Sequence, residues 1–599
     1  MARTGRSRAA RSAVAATLLV GGLTALQLAP GPLGAGEAAA SLVPYAGCEE
    51  LVEGTRAELR RATTSGASSG GVGVLRAEAA ATATAADAAV APGPTGTNLQ
   101  ERGVDEPDVA KLAGDLLVSV GSGGLHVVRA GPSPELLATL ALPGGGLDAS
   151  ELLLVGDRAL VLEQGHTDLP EPVGRGPAAV LSLPVASTTT LHLADLSDPD
   201  APRWLERWQV DGAYVSARLV DGTVRLVTRS VPTTTADRLT VDDVVPQAEH
   251  QDAAGAVRSS PAVDCADVSS SPGARGGALV LVTTLRPADG LAPVDSDAVA
   301  VDGDLVHASA DRLVVATSRW GTGPADRAQE VSTELHAFDT TRADRTTYVG
   351  SGSVAGSVPG RWALSWHEGA LRVTSTSSDG TSTSSVSVLR ERDGALRQVG
   401  RLDGLGPDEQ VQAVRYFGDV GVVVTFRLTD PLYVLDLADP ARPALLGELA
   451  VPGFSAYLHP LGDGLLLSVG MEADAATGQT TGMQASVFDL RDLARPVQVS
   501  RLQLGEAYSD VLGDSRAFGH DPARRLAVLP LISAAGRSSA LGIAVGEDGA
   551  LREAGRLAAP GGGVQRVLLG GDHVYAVGDG GVVAATADEL RRTGSARFG

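Results

Sequence analysis

Cysteine, lysine, asparagine, aromatic rings and positive charge are all scarce in this 599-residue chain. Lys and Arg together number 49 against 71 Asp and Glu, a formal charge of −22. That balance argues against a sequence-independent phosphate binder, which needs a basic face, so nucleic acid is not an expected partner. Lys111 is the only lysine and Asn98 the only asparagine. Such skew reflects genome composition, and no chemistry is read into the arginine excess. The ten histidines show no H-x-H or H-E-x-x-H spacing, leaving a zinc or di-iron site without support. No phosphate loop or dinucleotide fingerprint follows a strand. The single Gly-x-Ser-x-Gly match, Gly66 to Gly70, lies in a low-complexity stretch and cannot be a nucleophile elbow. Aromatics at 3% beside 74 glycines suit many short strands joined by tight turns.

The stretch Phe417 to Gly453 sets the pattern. Four Val- and Leu-rich runs alternate with period 2 and break at Gly-Asp, Asp-Pro and Pro-Gly, which describes a four-stranded antiparallel meander. Its first hairpin recurs around Asp115, Asp157, Asp221, Asp311, Glu368, Asp419, Asp463, Asp521 and Asp572. The intervals, roughly 40 to 90 residues, are blade-sized once insertions are allowed for. DLSDPDAP at Asp195, DLADPARP at Asp436 and DLRDLARP at Asp489 each close a third strand. Their carboxylates are read as turn acceptors for backbone N–H groups. A calcium reading is weaker, because a calcium loop gathers several oxygens in one segment. One such sheet cannot bury both faces alone, so the units must stack. The expected architecture is all-β: a single large β-propeller over residues 97–599, with eight units favoured and nine possible, or one hairpin in a blade shared at the closure.

Arginines at positions 3, 6, 8 and 11, an apolar run from Ala13 to Leu28 and an Ala-rich end at position 40 predict a cleaved secretory signal over residues 1–40. No later stretch is apolar enough to span a membrane. In an exported chain the Cys48 and Cys265 pair predicts a disulfide. Residues 41–63 are expected to form a short amphipathic helix docked on the propeller, carrying Leu51, Leu59 and Ala62, and residues 64–96 have linker composition. Insertions at Gln164 to Ser187, Val231 to Arg275, Trp320 to Val331, Ser375 to Ser384 and Glu472 to Gly482 each follow the second strand of a unit. In a meander those connections share one face, which is therefore the expected binding face.

The opening TNLQERGVDEPDVAKLAGD resembles that of a family of secreted bacterial and archaeal β-propeller proteins, distant relatives of the WD-repeat propellers. Thr97, Asn98, Gln100, Gly103, Val104, Asp105, Glu106, Asp108, Lys111 and Gly114 carry the likeness, and Pro107, Leu112 and Ala113 depart from it. LAPVDSDAV from Leu291, DPLYVLDLADPARP from Asp430 and FSAYLHPLGDGLLL from Phe454 are similar to further stretches of the family, so the likeness covers nearly the whole mature chain. It implies export and a propeller, and transfers no catalytic residue.

Ligand-binding candidates are Asp105, Glu106, Asp108 and Lys111 in the opening motif, with Tyr457 and His459 near a central channel. The structural alternative for the first four is mutual pairing or turn capping at the entry to the first unit. For His459 it is a hydrogen-bonded core position. Asp510, Asp514 and His520 offer an acid-base set, although close neighbours on strands often point apart. No catalytic residue and no cofactor is assigned. The favoured function is an exported, monomeric, non-enzymatic scaffold presenting its decorated face to a protein, peptide or glycan in the cell envelope or outside the cell. The alternatives are a hydrolase or oxidoreductase with its site at the channel mouth, and a structural acidic envelope protein. Convergent polar side chains around one pocket would favour the enzyme, and a filled channel the scaffold.

Overall fold

A computed structural model describes residues 41–64, 100–101, 103–143, 150–167, 186–270, 277–303, 305–320, 331–378, 382–426, 429–474, 479–558 and 561–598. The expected signal (1–40) and almost all of the expected linker (64–96) lie outside these residues.

Nine four-stranded antiparallel units follow one another among the described residues, with inner strands Ala110–Ala113, Glu151–Val155, Ala213–Val220, Leu305–Ala308, Leu364–His367, Gln410–Phe417, Phe454–Gly462, Gly519–Asp521 and Arg566–Gly570. Nine buried apolar clusters lie between them, one at each junction, including one that joins units nine and one. The ring is thus closed, and the favoured count of eight is corrected to nine. No blade is shared between the chain ends. Unit nine is continuous, and its closure on unit one rests on Tyr575, Val577, Val582 and Ala596 against Ala110, Leu117 and Val128. A stack of His126 on Phe598, ring centres 4.0 Å apart, adds to it. Units four and five also touch through their outer strands, where Ser351 pairs with Ala395. A Cβ on Gly350 would lie 2.9 Å from the Ala395 Cα, so the glycine permits that approach.

The recurrent hairpin is explained by backbone geometry. Asp221–Gly222, Glu368–Gly369 and Asp463–Gly464 place two successive residues at positive φ, the signature of a type I′ turn. Gly114, Gly156, Gly418 and Gly571 supply one positive φ ahead of an aspartate, as a type II′ turn requires. The carboxylates of Asp195, Asp436 and Asp489 accept the N–H two residues on, 2.9 to 3.1 Å away, which is the turn role expected of them.

The amino-terminal helix spans Cys48–Thr64, and Cys48 is bonded to Cys265, their Cα atoms 5.0 Å apart. Leu51 is fully buried in the cluster between units two and three. The Val231 to Arg275 insertion departs from expectation. It is not a loop decorating one face: its strands Gln247–Gln251 and Val257–Pro261 extend the outer edge of unit two, and Val268–Ser270 adds to unit three beside Val43–Pro44. Pairing the sheet edge satisfies backbone groups that a bare loop would leave to water. The other insertions begin and end as extensions of hairpins between second and third strands. Residues 168–185, 321–330, 379–381 and 475–478 of these insertions lie outside the described residues.

Candidate functional site

Before entering unit one, residues 100–109 run as a strap across the inner strands. The Gln100 amide donates to the Leu364 carbonyl of unit five, and one Glu101 oxygen accepts from Ser365 Oγ and the Trp366 N–H, both at 3.1 Å. Asp105 exchanges two backbone hydrogen bonds of 2.8 Å with Leu219 of unit three, and Asp108 exchanges a similar pair with Leu152 of unit two. A short extended segment laid against free inner edges satisfies its own backbone and theirs together.

The strap delivers carboxylates to cations on the wall. Lys111 Nζ donates to both oxygens of Asp105 at 2.8 and 3.0 Å, with the lysine only 1% exposed. Glu106 sits 3.1 Å from Arg218 and 3.1 Å from Arg361. Burial alone would raise the Glu106 carboxyl, but Arg218, Arg361 and Arg516 outweigh it and hold it below its ordinary value. Asp108 receives Arg566, which also pairs with Asp514. Arg516 donates to the Pro107 carbonyl at 2.6 Å, to Glu151 at 2.7 Å and to Asp514 at 2.9 Å. Asp514 is likewise pulled well below the usual range by Arg566 and Arg516 against the opposing effect of burial. The strap thereby ties units one, two, three, five, eight and nine through buried ion pairs. A cavity of about 20 Å³ remains beside it, lined by Gln100, Glu101, Glu106, Arg218, His307 and Arg361 among others. That is room for about one water.

Tyr457 and His459 belong to a separate group on unit seven, next to unit eight of that ion-pair network. The Tyr457 hydroxyl lies 3.1 Å from His459 Nδ1, and His459 Nε2 lies 3.0 Å from His520 Nδ1, forming a Tyr–His–His chain across units seven and eight. Burial keeps both imidazoles neutral: His459 is pushed well below its normal value, also by His520 and Arg415, and His520 falls to about 4. The six sequence candidates therefore form two sets. Asp510, Asp514 and His520 do not make one acid-base set, since Asp514 turns to the arginines and His520 to His459. Among the described residues no group of three or more His, Cys, Asp or Glu side chains gathers as a metal-ligand set, and no helix is long and apolar enough to cross a membrane.

Arg218, Arg361, Arg516, Arg566 and Arg415 are what sequence reasoning missed, having set arginine aside as composition. A signal exists. Lys111, His307, Arg415 and His459 each stand four residues before the aspartate of their hairpin turn, a recurrent polar position in otherwise apolar inner strands.

Fold and site together define a closed, nine-unit antiparallel propeller whose inner edges, from unit five round to unit one, are lined by the strap at residues 100–109. A family model described as "Beta propeller domain" matches residues 95–590, and the chain belongs to that family. It is similar to an "Uncharacterized protein" of Archaeoglobus fulgidus, 40% identical over 181 residues, covering 30% of this chain and 27% of the relative. It is also similar to "Uncharacterized protein MJ1554" of Methanocaldococcus jannaschii, 36% identical over 186 residues, covering 30% of this chain and 28% of the relative. The matched part thus spans little more than a quarter of either relative's length.

Proposed function

We propose that this propeller is a non-enzymatic binding scaffold that works outside the cytoplasm and presents the hairpin tips between second and third strands to a protein, peptide or glycan. One observation carries the reading: the strap's carboxylates, on the inner edges where a propeller enzyme would hold its substrate, are already paired with cations of the wall. Asp105, Glu106, Asp108 and Lys111 are spent on one another and on wall residues, and the cavity beside them is about 20 Å³. Small-molecule sites run to roughly 300–1,000 Å³. The Cys48–Cys265 bond supports an oxidising compartment.

The test pairs binding with turnover. Peptide and glycan arrays are probed with the full chain and with variants in which the hairpin tips at 168–185, 321–330 and 475–478 are each shortened. Loss of an array signal on shortening supports the scaffold. The Tyr457–His459–His520 chain favours an enzyme as the second reading, because a hydroxyl beside a neutral imidazole is a proton-transfer arrangement. Turnover on ester, glycoside or phosphoester substrates that disappears in Tyr457→Phe would overturn the scaffold.

A further inference from the structure

Arg415 lies on the inner strand of unit six, on the face shared with Ala413 and Phe417 that packs against unit seven. It is 1% exposed, and neither Nε nor Nη1 has a hydrogen-bond partner among the described residues. Its counterparts are paired, Lys111 with Asp105 and Arg218 with Glu106. The groups near enough to act on it are Tyr457, His459 and Glu101. Tyr457 is a phenol, and His459 and the His520 beyond it are neutral, so none of these three brings negative charge. One oxygen of Glu101 is already shared by Ser365 Oγ, the Trp366 N–H and, at 3.3 Å, His307 Nε2. A guanidinium does not escape burial by shedding its proton as a lysine can. An interior cation short of acceptors is costly, and the described residues supply none to these two nitrogens.

We propose that the inner wall at units six and seven binds a small monovalent anion, chloride or a carboxylate group, on the guanidinium of Arg415. The single cation fixes the charge of the ligand. The site is independent of the scaffold reading, because it lies on the inner strand of unit six and not at the hairpins between second and third strands.

The experiment follows thermal unfolding of the full chain at constant ionic strength as sodium gluconate, whose anion is too bulky for a buried site, is replaced by sodium chloride. A saturable rise in melting temperature of roughly 2 °C is expected. Arg415→Met should abolish the rise and melt at or above wild type in gluconate alone, because its buried cation is gone. Formate in place of chloride separates the two sources: a larger rise with formate assigns the site to a carboxylate group, and a larger rise with chloride to an inorganic ion. No saturable rise with either anion, or an equal rise in Arg415→Met, overturns the proposal. Should that variant fail to fold, crystals of the wild type in sodium bromide decide it: a bromide peak within hydrogen-bonding reach of Arg415 supports the site, and its absence overturns it.

Discussion

Arg218 and Arg415 occupy matching places on the inner wall and meet opposite fates. Arg218 is served by Glu106 at 3.1 Å, by Ser216 Oγ at 2.6 Å and by the Ala217 carbonyl at 2.8 Å, whereas two Arg415 nitrogens have no acceptor. What differs is the route of the strap. It runs from unit five through units four, three and two into unit one, so its carboxylates reach that arc and not units six and seven. A buried cation is therefore tolerable or costly according to a segment far away in sequence, and the wall residue alone does not reveal which.

The sharpest way to break this comparison is one substitution made at both places. Arg218→Met leaves Glu106 buried with one arginine fewer, and a loss of about 3 kcal/mol is expected. Arg415→Met in gluconate should cost nothing. Midpoints of denaturant unfolding for the two variants check this, and equal losses would mean that the strap's pairing is not what separates the arcs. The next effect comes from the disulfide. Cys48 and Cys265 lie 217 residues apart, and replacing both with Ser is expected to cost about 2–4 kcal/mol. Hydrogen exchange should show the loss first in the Cys48–Thr64 helix, which meets the ring beside the same outer cluster through Leu51. Uniform loosening of all nine units would instead make the bond a global clamp.

The repeat was legible because its causes are local. Turn chemistry at Gly114, Asp221 or Gly418 and period-2 runs each act within a few residues, so the hairpins, the amino-terminal helix and the closing Asp turns were readable before any contact was known. The count slipped only because eight is the usual upper limit for propellers. The site was legible as a set of residue types but not as a set of partners. Asp108 meets Arg566 from 458 positions away, and Asp105 pairs with Leu219 through backbone alone, which no side-chain pattern encodes. Nor does any local rule say that the opening motif runs along the inner edges of units five to two, or that the 231–275 insertion returns to the edge of unit two.

The smallest effect concerns two carboxyls shifted in opposite directions from their ordinary values. Glu106 is held low by its arginines, so its contribution to stability is present above the unfolded carboxylate value and is lost only as pH falls through the folded one. Asp297, on the outer strand of unit three, is the reverse case. Burial first, then Asp295 and Asp267, push it up to about 7, with Arg345 opposing. In the unfolded chain such a group titrates near 3.9. The folded protein therefore holds a proton that the unfolded chain has released. Its stabilising share is complete below about pH 4 and declines as pH rises through about 7. The melting temperature of wild type should accordingly fall between pH 5.5 and 8.5. Asp297→Asn, which keeps the hydrogen-bonding shape without the charge, should flatten that slope while leaving the acid limb set by Glu106 in place. Parallel slopes in the two proteins would show that the Asp295–Asp297 pair is solvated enough to ionise freely, and that the strap network alone sets how stability depends on pH.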